Sequence, residues 1–251
     1  MAEEKKSKKS RSSETEKRRF LCENLSFAGK EAYKRLRTNL QFCFTEGENC
    51  GVVGITSSHP AEGKSITAIN LAYTLAQLNK SVLLVDADMR RASIDIKLDM
   101  DAKPGLSNLL SDTNSMTGAI REYQPEDGSF GFSVLLSGDI PPNPSELLNS
   151  PRMGRLLEML RTKFDYIVID LPPVGAVVDA QTVSKLVDGM LIVIRENHTT
   201  KYALNECITQ LNLTNSKIFG FVINGSLEGA SKTSSYGKYG TYGNDYNSYY
   251  N

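Results

Sequence analysis

The stretch CGVVGITSSHPAEGKS spans residues 50–65 and runs directly into ITAINLAYTLAQL at 66–78. The apolar run at 51–56 reads as a buried strand. Ile66, Ile69, Leu71, Leu75 and Leu78 make the apolar set of a helix, and SSHPAEGKS is the turn between strand and helix. Gly63-Lys64-Ser65 at the helix start is the heart of a phosphate-cradling loop: backbone N–H groups face a polyphosphate, Lys64 adds a point charge, and the Ser65 hydroxyl can ligate Mg²⁺. The helix N-terminus adds its positive end. The strict G-x-x-x-x-G-K-[ST] pattern is not met, because its first Gly falls on Ser58, and Ala61 stands where many such loops have Gly.

Working outward, SVLLVDAD at 81–88 predicts a second strand that delivers Asp86 and Asp88 at its C-terminal end, on one side by alternation. YIVID at 166–170 predicts another strand, ending in Asp170 and followed by Pro172 and Pro173. Further strands are expected at 132–136, 189–195 and 217–224. Helices are expected at 29–46, near 106–110, from the Pro-rich loop at 138–150 to about Phe164, and at 201–211. In the first of these, Tyr33, Leu36, Leu40 and Phe44 form one stripe. Continuous apolar strands alternating with helices predict an α/β fold, a mostly parallel central sheet with helices on both faces. Three strand-end carboxylates would then converge on the crevice where such sheets bind ligands, and hard oxygen donors beside Ser65 suit Mg²⁺.

Composition narrows the class. In 251 residues, 29 Lys+Arg balance 29 Asp+Glu, which argues against a general nucleic-acid binder. No apolar run is long enough for a membrane span and no signal-peptide pattern opens the chain, so a cytoplasmic location is expected. Cys22, Cys43, Cys50 and Cys207 lack metal-ligand or disulfide spacing. Residues 1–25 predict a basic disordered arm, with eight Lys/Arg against four Glu in the first 20, and 26–225 a single catalytic domain. Residues 226–251 hold almost nothing aliphatic and predict a disordered tail. It holds six of the 11 tyrosines: Tyr236, Tyr239, Tyr242, Tyr246, Tyr249 and Tyr250.

Together these motifs resemble those of the bacterial tyrosine kinases, in particular the stand-alone kinases of capsule and exopolysaccharide clusters in Gram-positive bacteria. SSHPAEGKS matches the modified Walker A, VLLVDADMR at 82–90 the Walker A′, and IVIDLPP at 167–173 the Walker B. The resemblance implies a P-loop NTPase fold of the MinD/ParA-like type. It implies ATP and Mg²⁺ as cofactors, with Ser58, His59, Pro60, Ala61, Glu62, Gly63, Lys64, Ser65, Ile66 and Asn224 around the nucleotide. Lys64, Asp86, Asp88 and Asp170 would be catalytic. Ser65, Asp86, Asp88 and Asp170 would surround the metal, and one of Asp86 and Asp88 would receive the tyrosine proton. The tail tyrosines would be phosphoacceptors. Glu31, Lys34 and Arg37 stand where the family has E-x-x-R-x-x-R, a motif used in ring assembly, with Lys in place of the first Arg. A transmembrane activator that recruits the kinase to the inner membrane face and a cognate phosphatase are the implied partners. Two other readings stay open. A MinD/ParA-like ATPase would carry a further signature Lys where this chain has His59. A nucleotide-gated scaffold would bind ATP without transferring phosphate.

Overall fold

The computed structural model describes residues 21, 24–44, 50–111, 118–125, 128 and 130–225. Fifteen elements follow in chain order: α1 (Phe27–Gln41), β1 (Gly51–Ser57), α2 (Lys64–Ala76), β2 (Val82–Asp86), α3 (Ile94–Leu98), α4 (Leu106–Ser111), β3 (Ile120–Tyr123), β4 (Phe132–Leu135), α5 (Pro144–Leu148), α6 (Pro151–Arg161), β5 (Tyr166–Asp170), α7 (Asp179–Ser184), β6 (Gly189–Arg195), α8 (Lys201–Asn212) and β7 (Ile218–Asn224). Seven strands form one sheet in the order β3-β4-β2-β5-β1-β6-β7. Only β3 runs antiparallel to its neighbour.

The inner strands are apolar along their length because both faces are covered. Every residue of β1 and β2 is buried. On one face, Val53, Ile55, Leu84 and Val168 pack against Leu40 of α1 and Ala68, Ile69, Ala72 and Leu75 of α2. On the other, Val52, Leu83, Ile167 and Ile169 pack against Met153, Leu157 and Leu160 of α6, with Ala180 of α7 and Cys207 and Leu211 of α8. The expected parallel sheet with helices on both faces is what the chain forms.

Several boundaries differ from the sequence reading. α1 starts at Phe27, where the Ser26 hydroxyl accepts from Gly29 N–H, and ends at Gln41 rather than at 46. Phe44 leaves the helix and lays its ring over the start of β1: a Cβ on Gly51 would lie 2.8 Å from it. The expected helix to Phe164 is two helices. Pro151 opens α6, and a residue preceding proline disfavours the helical conformation, so α5 stops before it. Edge strand β3 was not legible, because its four residues include half-buried Arg121 and exposed Glu122 and carry no apolar run. The five- and six-residue helices α3 and α7 are equally short of periodic signal. Leu21, inside the expected N-terminal arm, is buried on the α1–α2 side of the core, so packing extends to that residue. Residues 1–20, Cys22, Glu23 and the tyrosine-rich segment with Tyr236, Tyr239, Tyr242, Tyr246, Tyr249 and Tyr250 lie outside the described residues.

Candidate active site

Sheet register brings the carboxylates together. β5 lies between β1 and β2, pairing Asp170 with Asp86 on one side and with Ile55 on the other. Asp86 and Asp170 are therefore neighbours at the carboxyl end of the sheet. The loop after β1 folds over them and hands Lys64 to the same place. Lys64 Nζ lies 2.8 Å from Asp88 Oδ2 and 3.5 Å from Asp170 Oδ1, with its side chain 11% exposed. Asp88 lies just past the end of β2, where its N–H donates to Asp86 Oδ1 and its own Oδ1 accepts from Arg91 N–H.

The loop has the shape its residues demand. Gly63 has φ 97° and caps α2. A Cβ there would lie 1.9 Å from Asn224 Nδ2, so glycine is required twice over. Ala61 also takes a positive φ of 64°. His59, Pro60 and Ala61 form the exposed crest. Ser58 turns inward beside the Cys207 thiol, whose burial pushes its pKa up to about 11 and leaves it unreactive. The loop after Asp170 passes close by: a Cβ on Gly175 would meet the Ser58 carbonyl at 2.7 Å. Ile66 is half-buried on the first turn of α2.

Three contacts hold the loop from the β6–β7 side. Glu62 is fully buried; its Oε2 accepts from His59 N–H at 2.9 Å and its Oε1 from the Thr199 hydroxyl. Arg195 donates to the Ala61 carbonyl at 3.1 Å, and Asn224 Nδ2 donates to the Glu62 carbonyl at 3.0 Å. Asn224, expected around the nucleotide, braces the loop through this bond. Thr199 and Arg195 were missed from sequence because they belong to no local motif. Arg90 points away from the cluster. Its Nε donates to Asp179 Oδ2 at 2.9 Å, and Ser145 donates to Asp179 Oδ1, fastening the turn after β2 to α5 and α7.

The electrostatics fit a metal–nucleotide site. Asp170 is 1% exposed; Lys64 Nζ stands 3.5 Å from its Oδ1 and the Ser65 hydroxyl is its other polar neighbour, and nothing else among the described residues satisfies its oxygens. Buried polar oxygens are seldom left so, and a hard cation would satisfy them. Ser65 and Asp86 stand beside it, while the two Asp88 oxygens are engaged by Lys64 and the Arg91 N–H. Burial, then the repulsion of Asp170, pushes the Asp86 carboxyl up to about 8. Burial likewise raises Asp170, against the pull of Lys64. Lys64 is itself held above its ordinary value: burial opposes the charge, but Asp170 and Asp88 outweigh it.

These shifts carry a pH signature. Both carboxyls have native pKa values above the 3.8 of the unfolded chain, so the native state binds more protons between about pH 4 and about 8. Metal-free protein is therefore expected to lose stability as pH rises through that window. Asp86→Asn should flatten the dependence, and added Mg²⁺ should offset it. Thermal unfolding midpoints at pH 5, 6.5 and 8, with and without Mg²⁺, read this directly.

On helix α1, the ring-motif residues divide. Lys34 pairs with Glu31 at 2.7 Å on the exposed face. Arg37 turns inward and donates to the Thr74 carbonyl at 2.7 Å, tying α1 to α2.

A family model described as an AAA domain matches residues 52–221. The chain is 37% identical over 214 residues to tyrosine-protein kinase YwqD of Bacillus subtilis (strain 168), covering 85% of this chain and 87% of that protein. The chain belongs to the bacterial tyrosine-protein kinases. The solved kinase domain of Escherichia coli tyrosine kinase ETK superposes on this kinase with a TM-score of 0.75 at 35% identity, covering 83% and 80% of the two chains. Against the whole etk protein of Escherichia coli (strain K12), the kinase spans 29% of its length at 34% identity. McdA of Cyanothece, 23% identical with a TM-score of 0.53, shares the MinD/ParA-like fold alone. Among the described residues no helix of this kinase is long and apolar enough to cross a membrane.

Proposed function

We propose that this kinase transfers the terminal phosphoryl group of ATP to the tyrosines of its own C-terminal segment, in trans within an oligomer. We further propose that this controls synthesis and export of a capsular or extracellular polysaccharide. The reading rests on one observation above the others: Lys64, Asp86, Asp88 and Asp170 converge at the carboxyl ends of β1, β2 and β5, under a loop whose glycine has no room for a side chain.

In this reading the loop amides and Lys64 hold the phosphates. A tyrosine Oη bonds to the γ-phosphorus, the bond from that phosphorus to the β,γ-bridging oxygen breaks, and ADP leaves. The phenolic proton passes to Asp86 or Asp88, whose placement suits a group of pKa about 10 that loses its proton late. Mg²⁺, held by Ser65 and the carboxylates, would neutralise the β- and γ-phosphate oxygens. Phosphoryl transfer of this kind needs positioning and charge compensation more than covalent help from the protein.

The capsular role rests on the resemblance of the three Walker motifs to those of kinases from capsule and exopolysaccharide clusters. It implies a transmembrane activator that brings the kinase to the inner face of the membrane, and a phosphatase that resets the tail. In the proposed ring, Glu31 and Lys34 remain on the exposed face of α1, while Arg37 serves the fold of its own subunit.

Mass spectrometry after incubation with Mg·ATP tests the reading. Trypsin cleavage after Lys238 releases Tyr239–Asn251, which carries five of the six tail tyrosines. Stepwise phosphate gain on this peptide, with or without the activator's cytoplasmic fragment, is the expected result. Nucleotide binding with no phosphate gain under either condition would refute it in favour of the nucleotide-gated scaffold.

A further inference from the structure

Helix α3 contributes to the site through the residue before it. Ser93 N–H and Ile94 N–H both approach Asp86 Oδ2 at 3.4 Å, and the Ser93 hydroxyl donates to the Ser65 hydroxyl at 3.3 Å. One turn on, Lys97 folds back, and its ammonium donates to the Ser93 carbonyl at 3.3 Å. Among the described residues no carboxylate stands within ion-pairing distance of Lys97. It is nonetheless half-buried and within the fields of Asp170, Lys64 and Asp86; burial depresses its pKa, against the pull of Asp170.

The charge inventory around the cleft gives this lysine a task. Three buried carboxylates face Lys64, which is already committed to Asp88 and Asp170. Lys97 is a second ammonium on a flexible four-carbon stem, held by one long bond to a neutral carbonyl. Such a bond is readily exchanged for a stronger one to a phosphate oxygen. Its position also selects which phosphate. The loop and Lys64 approach from the β1 side, the loop amides cradling the inner phosphates and Lys64 reaching the β- and γ-phosphates. Lys97 approaches from the β2 side, beside Asp86, which with Asp170 would hold a metal that neutralises phosphate charge.

We propose that Lys97 is a second phosphate-binding residue of this site, which leaves the Ser93 carbonyl to grip the terminal phosphate of a nucleoside triphosphate and so distinguishes triphosphate from diphosphate. The inference rests on the nucleotide-binding reading given above.

Isothermal titration of the full chain tests it without any turnover. The probes are Mg·ADP and the non-hydrolysable ATP analogue with a β,γ-methylene bridge. Lys97→Met keeps the apolar stem and removes the charge. It should weaken the triphosphate analogue about tenfold or more, the size of one lost charge-assisted hydrogen bond, and leave ADP within about twofold. Lys97→Arg should keep the analogue within about threefold. Unchanged analogue affinity in Lys97→Met, or equal weakening of ADP and the analogue, would overturn the assignment. The second result would mean that the lysine only supports the local fold. Wild-type protein that binds neither probe would instead overturn the nucleotide reading itself.

Discussion

Replacing Lys64 with Met should lower the rate of phosphotyrosine formation by about 10³-fold, the scale on which a single preorganised charge at a transferring group is felt. The same change should expose an internal conflict that the wild type conceals. Lys64 is the partner that compensates Asp88 and Asp170 in a region almost closed to water. Without it, two buried carboxylates face Asp86 with no opposing ammonium in contact. Breaking a buried pair by removing one member typically costs about 3–5 kcal/mol. The carboxyls can escape part of that cost by taking up protons, so the loss should be large at pH 8 and small at pH 5. Denaturant titrations of wild type and Lys64→Met at the two pH values would show it. Equal destabilisation at both would mean that Lys64 contributes packing rather than charge. Loss of phosphate transfer without any stability change would place its role wholly on the bound nucleotide.

Gly63→Ala should be nearly as damaging, for a backbone reason. At φ 97° an L-residue is strained by about 1–2 kcal/mol, and the new methyl would sit 1.9 Å from Asn224 Nδ2. Asn224 would have to withdraw, giving up its bond to the Glu62 carbonyl at a further cost of about 1 kcal/mol. A total near 2–3 kcal/mol corresponds to a fall of roughly 4–12 °C in the unfolding midpoint for a chain of this size. Nucleotide affinity should fall by roughly two orders of magnitude, because the distorted loop no longer presents its amides together. The double variant with Asn224→Ala isolates the collision. If the methyl clash dominates, the two losses are strongly non-additive; if the backbone strain dominates, they add.

How much of this could be read beforehand follows from where each signal is stored. The loop and its flanking strand and helix lie in the 29 consecutive residues 50–78, so Gly63, Lys64 and Ser65 were legible from their local context. Asp86 and Asp170 were legible because each ends an apolar run, and in a parallel sheet strand ends of one kind share an edge. Their adjacency was not: nothing local in YIVID says that β5 enters between β1 and β2. Arg195 at the end of β6, Thr199 in the turn after it and Lys97 on α3 act on the site from outside its motifs, and each looks like an ordinary surface residue in its own neighbourhood. Asn224 was noticed for its place at a strand end, yet its contact with Glu62 exists only because β7 and the loop meet across 162 residues of chain. Arg37 shows the converse. Its motif pointed outward to a neighbouring subunit, while the packing of α1 on α2 directs it to Thr74.

The insertion of β5 between the two strands that open the domain bears on how the chain matures. β1 and β2 are synthesised early and stay apart, joined only through α2, until residues 166–170 arrive to hydrogen-bond with both. Contacts of such long sequence separation form slowly. During translation, two largely apolar strands thus wait for the partner they share while about 80 further residues emerge, the kind of interval in which nascent chains need chaperones. Once β5 docks, the sheet centre closes and Asp170 arrives beside Asp86 in one event. Folding and assembly of the phosphate-transfer machinery are the same step, and a chain truncated before residue 166 would possess the whole Walker loop and no site.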